Sequence, residues 1–266
     1  RWFDVIEHHQ QVDVGVGPFL PSRHRAEQDH LGWADSADHL VDHRRPQFLQ
    51  RLPVVAPLLI DDVLDAGVGV SLHVRDTPVG AQNPAEEQVQ KYLQVVDVIA
   101  GRALPDTEIS VKLEQLGLHS DGREAATTRL IHLATSAAAR GIPMTLDMEA
   151  VDEVEVTLAA WHAAHAQVSD LGIAIQAYLP RSEQDCRELA AMGARVRLCK
   201  GGYAHVPGAT YSSRHEIDLA FVRCARELFA GAYPMFATHD DRLTRIVGYL
   251  AMAADRLRAC GLGELV

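Results

Sequence analysis

The stretch IAIQAYLPRSEQDCRELAAMGARVRLC, residues 173–199, shows the pattern that decides the fold. Two short apolar runs, Ile173–Leu179 and Val196–Cys199, flank an amphipathic stretch at Glu183–Met192 that ends on Gly193. Glycine takes the left-handed conformation at a helix end without steric penalty. Strand, helix and strand in this order predict two parallel strands joined by a crossover helix.

The same alternation extends in both directions from this unit. The six apolar runs are Val68–Val74, Ile109–Leu113, Pro143–Met148, Ile173–Leu179, Val196–Cys199 and Met235–Thr238. The helical stretches between and after them include Glu124–Arg140, Val151–Val168, Glu183–Met192, His215–Ala230 and Asp241–Ala259. No G-x-G-x-x-G loop follows the first run, so an α/β barrel of the (β/α)8 TIM type is favoured over a doubly wound sheet. We predict about six of its strand–helix units, with the barrel incomplete at the C-terminus.

The two ends of the chain differ from this middle part. Residues 1–66 carry six of the 14 histidines, without a convincing spacing for metal ligands, and show little regular periodicity before Pro53. We predict a poorly specified N-terminal segment at 1–66 and a truncated barrel at 67–266. Because the chain begins with Arg1 and stops soon after the expected helix end at Gly261, we expect a fragment.

The overall composition limits the function classes. A net charge of -11 and a pI of about 5.6 argue against nucleic-acid binding, which needs clustered positive charge. No apolar run reaches the roughly 20 residues that span a bilayer. The cysteines form no C-x-x-C pair, which favours a reducing, cytoplasmic location; they are Cys186, Cys199, Cys224 and Cys260.

Lysine is rare in this chain, and its placement is informative. There are only three lysines, and two of them, Lys112 and Lys200, end predicted strands. A closed barrel has no sheet edge at which a strand lysine could meet water, so the barrel mouth is the least costly place for each charge. Both lysines are therefore candidate functional residues.

Other polar side chains stand at the ends of the neighbouring runs. Asp147 and Glu149 are two residues apart and lie on one side of an extended strand. They could bind a divalent metal or pair with Lys112, and charge pairing is favoured because the adjacent strand ends offer few further oxygen ligands. The remaining candidates at strand ends are Gln176, Tyr178, Arg197, Cys199, Thr238 and His239.

These strand ends resemble the proline dehydrogenase family over about residues 67–260. The segments that carry the resemblance are Ser110-Val-Lys-Leu113, Leu146-Asp-Met-Glu149, Gln176-Ala-Tyr-Leu179, Arg197-Leu-Cys-Lys-Gly-Gly-Tyr203 and Ala237-Thr-His-Asp240. The resemblance implies a barrel that holds FAD, a nucleotide cofactor, over its mouth. It also implies oxidation of L-proline to 1-pyrroline-5-carboxylate in proline catabolism. A quinone electron acceptor and a transient, peripheral contact with the inner membrane would follow.

The resemblance also implies roles for individual residues. Lys112 would pair with the substrate carboxylate, Asp147 would be its carboxylate partner in the active site, and Tyr203 would help shape the substrate site. Arg197 would stand against the reactive edge of the flavin, and Asp147 and Arg197 would be the catalytic pair. The residues that would contact FAD are Met148, Gln176, Arg197, Lys200, Gly201, Gly202, Thr238 and His239. No metal is expected.

The sequence departs from the family pattern in three places. Gly202 replaces the family's alanine, and the first run lacks the usual Leu-Gly-Glu continuation. The last two strands, the final helix and the paired arginines that clamp the substrate carboxylate are also missing. Two alternatives therefore stay open: an aldolase-type Schiff-base lyase that uses Lys112 or Lys200, and an inactive truncated remnant.

Overall fold

Six parallel strands form the centre of the fold in a computed structural model. It describes residues 64, 69–74 and 83–254, and the backbone of residues 3–5 and 12–16. The parallel strands are β3 (Val70–Val74), β4 (Thr107–Val111), β5 (Met144–Leu146), β6 (Gly172–Gln176), β7 (Arg195–Cys199) and β8 (Tyr233–Ala237). Each pairs with the next strand along the chain, which is the strand order of a (β/α)8 barrel.

A helix follows each parallel strand. The helices are α1 (Pro84–Arg102), α2 (Arg123–Ala138), α3 (Val154–His165), α4 (Ser182–Ala191), α5 (Arg214–Leu228) and α6 (Asp241–Ala253). Local sequence sets where several of them begin: Pro84 opens α1, and a reciprocal capping box between Ser213 and Glu216 opens α5. The Asp240 carboxylate accepts hydrogen bonds from the first backbone N–H groups of α6.

The two faces of the sheet have opposite chemistry. On the outer face, Ile109, Val111, Val196 and Leu198 are fully buried in the hydrophobic core between sheet and helices. On the inner face, alternate residues of the same strands are polar, so that β7 presents two arginines and a cysteine. The period of two residues along a strand produces this separation.

The sheet curves strongly. Arg197 on β7 donates a hydrogen bond of 3.0 Å to Ser71 on β3, four strands away. In a flat sheet those strands would be about 19 Å apart, at about 4.8 Å per strand, which is beyond the reach of one arginine. The contact is possible only because the six strands wrap around a common interior, as in an incomplete barrel.

The prediction of six strand–helix units in an incomplete barrel is confirmed. Helix α1 was not among the predicted helical stretches, although Pro84 and the pattern of Val89, Tyr92, Val96 and Ile99 are typical of an amphipathic helix. None of the helices in the part of the chain that the structure describes is both long and apolar enough to cross a membrane.

The N-terminal segment contributes two strands that the sequence pattern does not predict. Strands β1 (Phe3–Val5) and β2 (Val12–Val16) form an antiparallel pair, and β2 pairs antiparallel with β3. The other residues of 1–63 lie outside the described part of the chain, so the proposed boundary at residue 66 stays a prediction. The last part of the predicted helix Asp241–Ala259 also lies outside it.

Candidate active site

The predicted site residues meet at one edge of the barrel, which we call the mouth. Lys112, Asp147 and Lys200 each directly follow a strand, and Gln176 is the last residue of β6. Thr238 directly follows β8. Because carboxyl ends of parallel strands meet on one side, five separate segments of the sequence contribute to one surface. The structure thus brings the predicted residues together.

Arg197 is the centre of a buried ion-pair network that we call the Arg197 cluster. Its Nη1 donates to Asp147 Oδ1 at 2.9 Å and to Ser110 Oγ at 3.1 Å. Its Nη2 donates to Ser71 and to the Glu108 carboxylate. Ser110 also donates to the second oxygen of Asp147 at 2.6 Å. The cluster consists of Ser71, Glu108, Ser110, Thr145, Asp147, Arg195 and Arg197.

Glu108 is the deepest carboxylate of this cluster. Its Oε2 accepts from Thr145 at 3.0 Å and from Arg195 at 3.1 Å. Burial by itself raises the pKa of Glu108, but the charges of Arg197 and Arg195 outweigh it and leave the pKa below its ordinary value. Glu108 is therefore ionised at neutral pH.

Lys112, directly after β4, forms an ion pair with a carboxylate of the segment that follows β5. Lys112 Nζ lies 3.3 Å from Glu149 Oε1, and the Tyr203 hydroxyl donates to the other oxygen of Glu149. Asp147 is instead engaged by Arg197 and Ser110. The structure thus pairs Lys112 with Glu149, and the roles that the resemblance implies for Lys112 and Asp147 stay predictions. Burial, together with the bond to Glu149, raises the pKa of Tyr203.

A second ionic group, the Lys200 cluster, lies beside the first on the same edge. Lys200 Nζ lies 2.7 Å from Asp218 Oδ1 and 3.0 Å from Asp240 Oδ2. Arg214 and Arg242 contact the same two carboxylates from the rim. The hydrogen bonds from Lys200 and Arg214 lower the pKa of Asp240. The cluster consists of Lys200, Arg214, Asp218, Asp240 and Arg242.

The glycine pair after Lys200 has two distinct environments. Gly201 has a φ of +109°, and a Cβ there would come within 3.0 Å of the Tyr178 ring. Gly202 faces open space, and a Cβ added there would meet no atom within 4 Å. Gly201 is thus required by the backbone and by its close approach to Tyr178, whereas an alanine at Gly202, as in the family pattern, would fit.

Gln176 has an acceptor available for a ligand. Its Nε2 donates to the Met148 carbonyl at 3.0 Å, while its Oε1 is buried and has no partner among the described residues. An unsatisfied buried acceptor is costly unless a ligand or water donates to it. A flavin ring carries an imide N–H that matches this acceptor, so the residues at this position fit the expected cofactor.

The remaining predicted residues occupy the rim. Thr238 Oγ1 accepts from the Asp240 backbone N–H at 3.1 Å, and the His239 side chain is exposed. Burial raises the pKa of Cys199 to about 11, which favours a packed thiol over a nucleophile at this strand end. Among the residues that the structure describes, no group of three His, Cys, Asp or Glu side chains is placed to hold a metal ion.

Sequence reasoning missed two kinds of residue. Glu108 could have been predicted from the sequence. In an extended strand residues 108, 110 and 112 share one side, so the alternation that places Lys112 in the site also places Glu108 there. Asp218 could not have been predicted, because it lies on the outer helix α5 and nothing in its local sequence connects it to Lys200.

Three comparisons relate this chain to known proteins. The sequence profile of the proline dehydrogenase family matches residues 60–259. Proline dehydrogenase 1 of Bacillus subtilis subsp. natto is 29% identical over 171 residues, which cover 64% of this chain and 56% of that protein. Proline dehydrogenase 1 of Bacillus subtilis (strain 168) is 30% identical over 162 residues, or 60% of this chain and 53% of that protein. The chain therefore spans about half the length of these relatives.

A solved structure has the same fold. Proline utilization A (PutA) from Bdellovibrio bacteriovorus, inactivated by N-propargylglycine, superposes with a TM-score of 0.64 at 22% identity. The match covers 71% of this chain and 24% of that one. At this identity the likeness supports the barrel fold alone, while the family profile covers most of the chain. The chain belongs to the proline dehydrogenase family.

Proposed function

We propose that this chain carries the cofactor half of an FAD-dependent proline dehydrogenase, which oxidises L-proline to 1-pyrroline-5-carboxylate. The observation that carries the proposal is the position of Arg197. Its guanidinium lies in the barrel interior beside Asp147 at the mouth and is fixed by carboxylates, and the family resemblance implies a cation beside the flavin there. FAD would supply the hydride acceptor, and the protein would supply orientation and charge.

In this proposal most of the site residues would hold FAD, and two would face the substrate. Gln176 and Met148 would hold the flavin ring, and Arg197 would place a fixed positive charge beside it. The ribityl and phosphate part would lie along Lys200, Gly201, Gly202, Thr238 and His239. Lys112 would attract the substrate carboxylate, with Tyr203 shaping that side of the site.

The Schiff-base alternative is less well supported. An imine-forming lysine needs an uncharged amine. Lys112 lies 3.3 Å from one carboxylate and Lys200 within 3.0 Å of two. Both amines are therefore held by carboxylates and are not open to a carbonyl substrate.

The flavin spectrum of the purified protein tests the proposal. We expect FAD absorbance that bleaches on addition of L-proline, and no trapping of a carbonyl substrate by borohydride. Bound FAD that stays oxidised when proline is added would contradict the assignment of proline as substrate. Failure to bind FAD would contradict the assignment of the cofactor.

A quinone acceptor, a cytoplasmic location and a transient membrane contact are further parts of the proposal. Reoxidation of the bleached flavin by a soluble quinone analogue tests the quinone acceptor.

A further inference from the structure

Arg197 is held at two depths of the barrel interior. Asp147, which directly follows β5, holds Nη1 on the side of the mouth. Glu108 holds Nη2 and lies two residues before Ser110 on β4, hence one layer deeper. Two anchors on different terminal nitrogens determine both the position and the plane of a guanidinium group.

Glu108 is itself fixed by its neighbours. Its Oε2 is occupied by Thr145 at 3.0 Å and by Arg195 at 3.1 Å, which leaves Oε1 for Arg197. All these partners lie on strands β5 and β7, whose backbones are paired to their neighbours on both sides. The carboxylate therefore cannot follow Arg197 if the arginine moves towards the mouth.

Stability alone does not account for this arrangement. Glu108 is only 8% exposed, and removing charges from water costs about as much as their mutual attraction returns. Well-packed apolar side chains in the interior would stabilise the fold at least as much, as they do on the outer face of the same strands. A buried charge network in this place is better explained by the geometry that it imposes.

From these contacts we infer that Glu108 is a positioning residue for Arg197: it anchors Nη2 from below and so orients the guanidinium towards the mouth. The inference rests on the proposed function for the role of Arg197. In this role Glu108 acts through its contact with Arg197. Its loss leaves Asp147 and Ser110 on Nη1 and the neutral Ser71 hydroxyl on Nη2, so the guanidinium loses its charged anchor on that side and should rotate faster.

The test is ¹⁵N NMR of the arginine side chains in the purified chain, with the Arg197 signals assigned by their absence in Arg197→Lys. In Glu108→Gln, which keeps the shape and removes the charge, rotation of the Arg197 guanidinium should become about tenfold faster or more. The matched control is Asp185→Asn. Asp185 is as buried, at 6%, and holds Arg181 through both oxygens, but it lies on helix α4.

If Glu108→Gln does not fold, Glu108→Asp provides the same test, because it keeps the charge and withdraws the carboxylate by one methylene. Unchanged Arg197 signals in the folded variant, or equal changes in Asp185→Asn, would overturn the inference. The readout needs neither flavin nor proline. A failure here is therefore distinct from a failure of the proposed function, which would appear as FAD that proline does not bleach.

Discussion

The Arg197 cluster extends from the barrel interior up to Asp147 at the mouth, whereas the Lys200 cluster lies at the mouth and its rim, and the two are built differently. The Arg197 side chain is 12% exposed, and its partners lie on or directly beside strands of the barrel. In the Lys200 cluster Arg214 and Arg242 are 79% and 60% exposed and Lys200 is 25% exposed, while the nearly buried carboxylates belong to helices and their ends. Buried pairs keep their strength in salt, whereas exposed pairs are screened. The first cluster is suited to fixing a group and the second to exchanging partners with a ligand.

Removal of the central arginine should have the largest effect. Arg197→Met leaves Asp147 and Glu108 buried without their main cation and should lower the free energy of unfolding by about 3–5 kcal/mol. Urea denaturation measures this. The control is Arg187→Met, which removes an exposed pair with Glu227 and should change the value by less than about 1 kcal/mol. Equal losses of stability in Arg197→Met and Arg187→Met would contradict the contrast between buried and exposed ion pairs.

The backbone beneath the Lys200 cluster should be less tolerant than its side chains. Gly201→Ala introduces a Cβ at a positive φ and against the Tyr178 ring, so we expect a loss of about 2–4 kcal/mol in the free energy of unfolding. Gly202→Ala, one residue away and facing open space, should change it by less than about 0.5 kcal/mol. Thermal denaturation of the pair separates backbone strain from loss of a glycine as such. Equal melting temperatures would refute this explanation.

The ionisation of Glu108 predicts a dependence on pH. Its pKa is lower in the folded protein than the ordinary 4.5, so its charge stabilises the fold above about pH 4.5, and this contribution is lost as the pH falls further. The difference in unfolding free energy between wild type and Glu108→Gln should therefore shrink below that pH.

Urea denaturation from about pH 3 to pH 7 measures this difference. Glu124→Gln, at an exposed position of α2, is the control for loss of a carboxylate outside the barrel interior. A difference for Glu108→Gln that grows on acidification would show that the sign of the shift is wrong.

The smallest effect should come from the second cluster. Lys200→Met leaves Arg214 and Arg242 beside both carboxylates, so we expect a loss of less than about 1 kcal/mol in the free energy of unfolding. That loss should fall further in about 0.5 M salt, while the loss in Arg197→Met should persist. Urea denaturation at two salt concentrations checks both. A large, salt-independent loss for Lys200→Met would remove the distinction between the clusters.

Much of the fold could be predicted from local sequence. Apolar runs such as Val196–Cys199 locate the strands because a strand covered by helices must be apolar on its outer face. The period of two residues places Arg197 with Cys199 on the inner face of β7, whereas Asp147 and Glu149 lie beyond the end of β5. The same period predicts that Lys112 and Lys200 emerge at the mouth, where the structure places them.

The partners of these residues could not be predicted in the same way. Lys112 has two carboxylates within one neighbouring segment, and only the curvature of the sheet assigns it to Glu149 and Asp147 to Arg197. Asp218 reaches Lys200 from an outer helix, through a contact that depends on how α5 packs on the sheet. Strand position is thus a local property of the sequence, whereas ion pairing depends on the complete three-dimensional arrangement.

The alternation along β7 also has a consequence for folding. Strand pairing that slipped by one residue would turn Arg195 and Arg197 towards the helices and place Val196 and Leu198 among the charges of the interior. Each misplaced guanidinium would lose its carboxylates inside an apolar layer, at a cost of several kcal/mol. The charges inside the barrel therefore select one register among the many that a parallel sheet could adopt, and the misaligned chain has no comparably stable alternative.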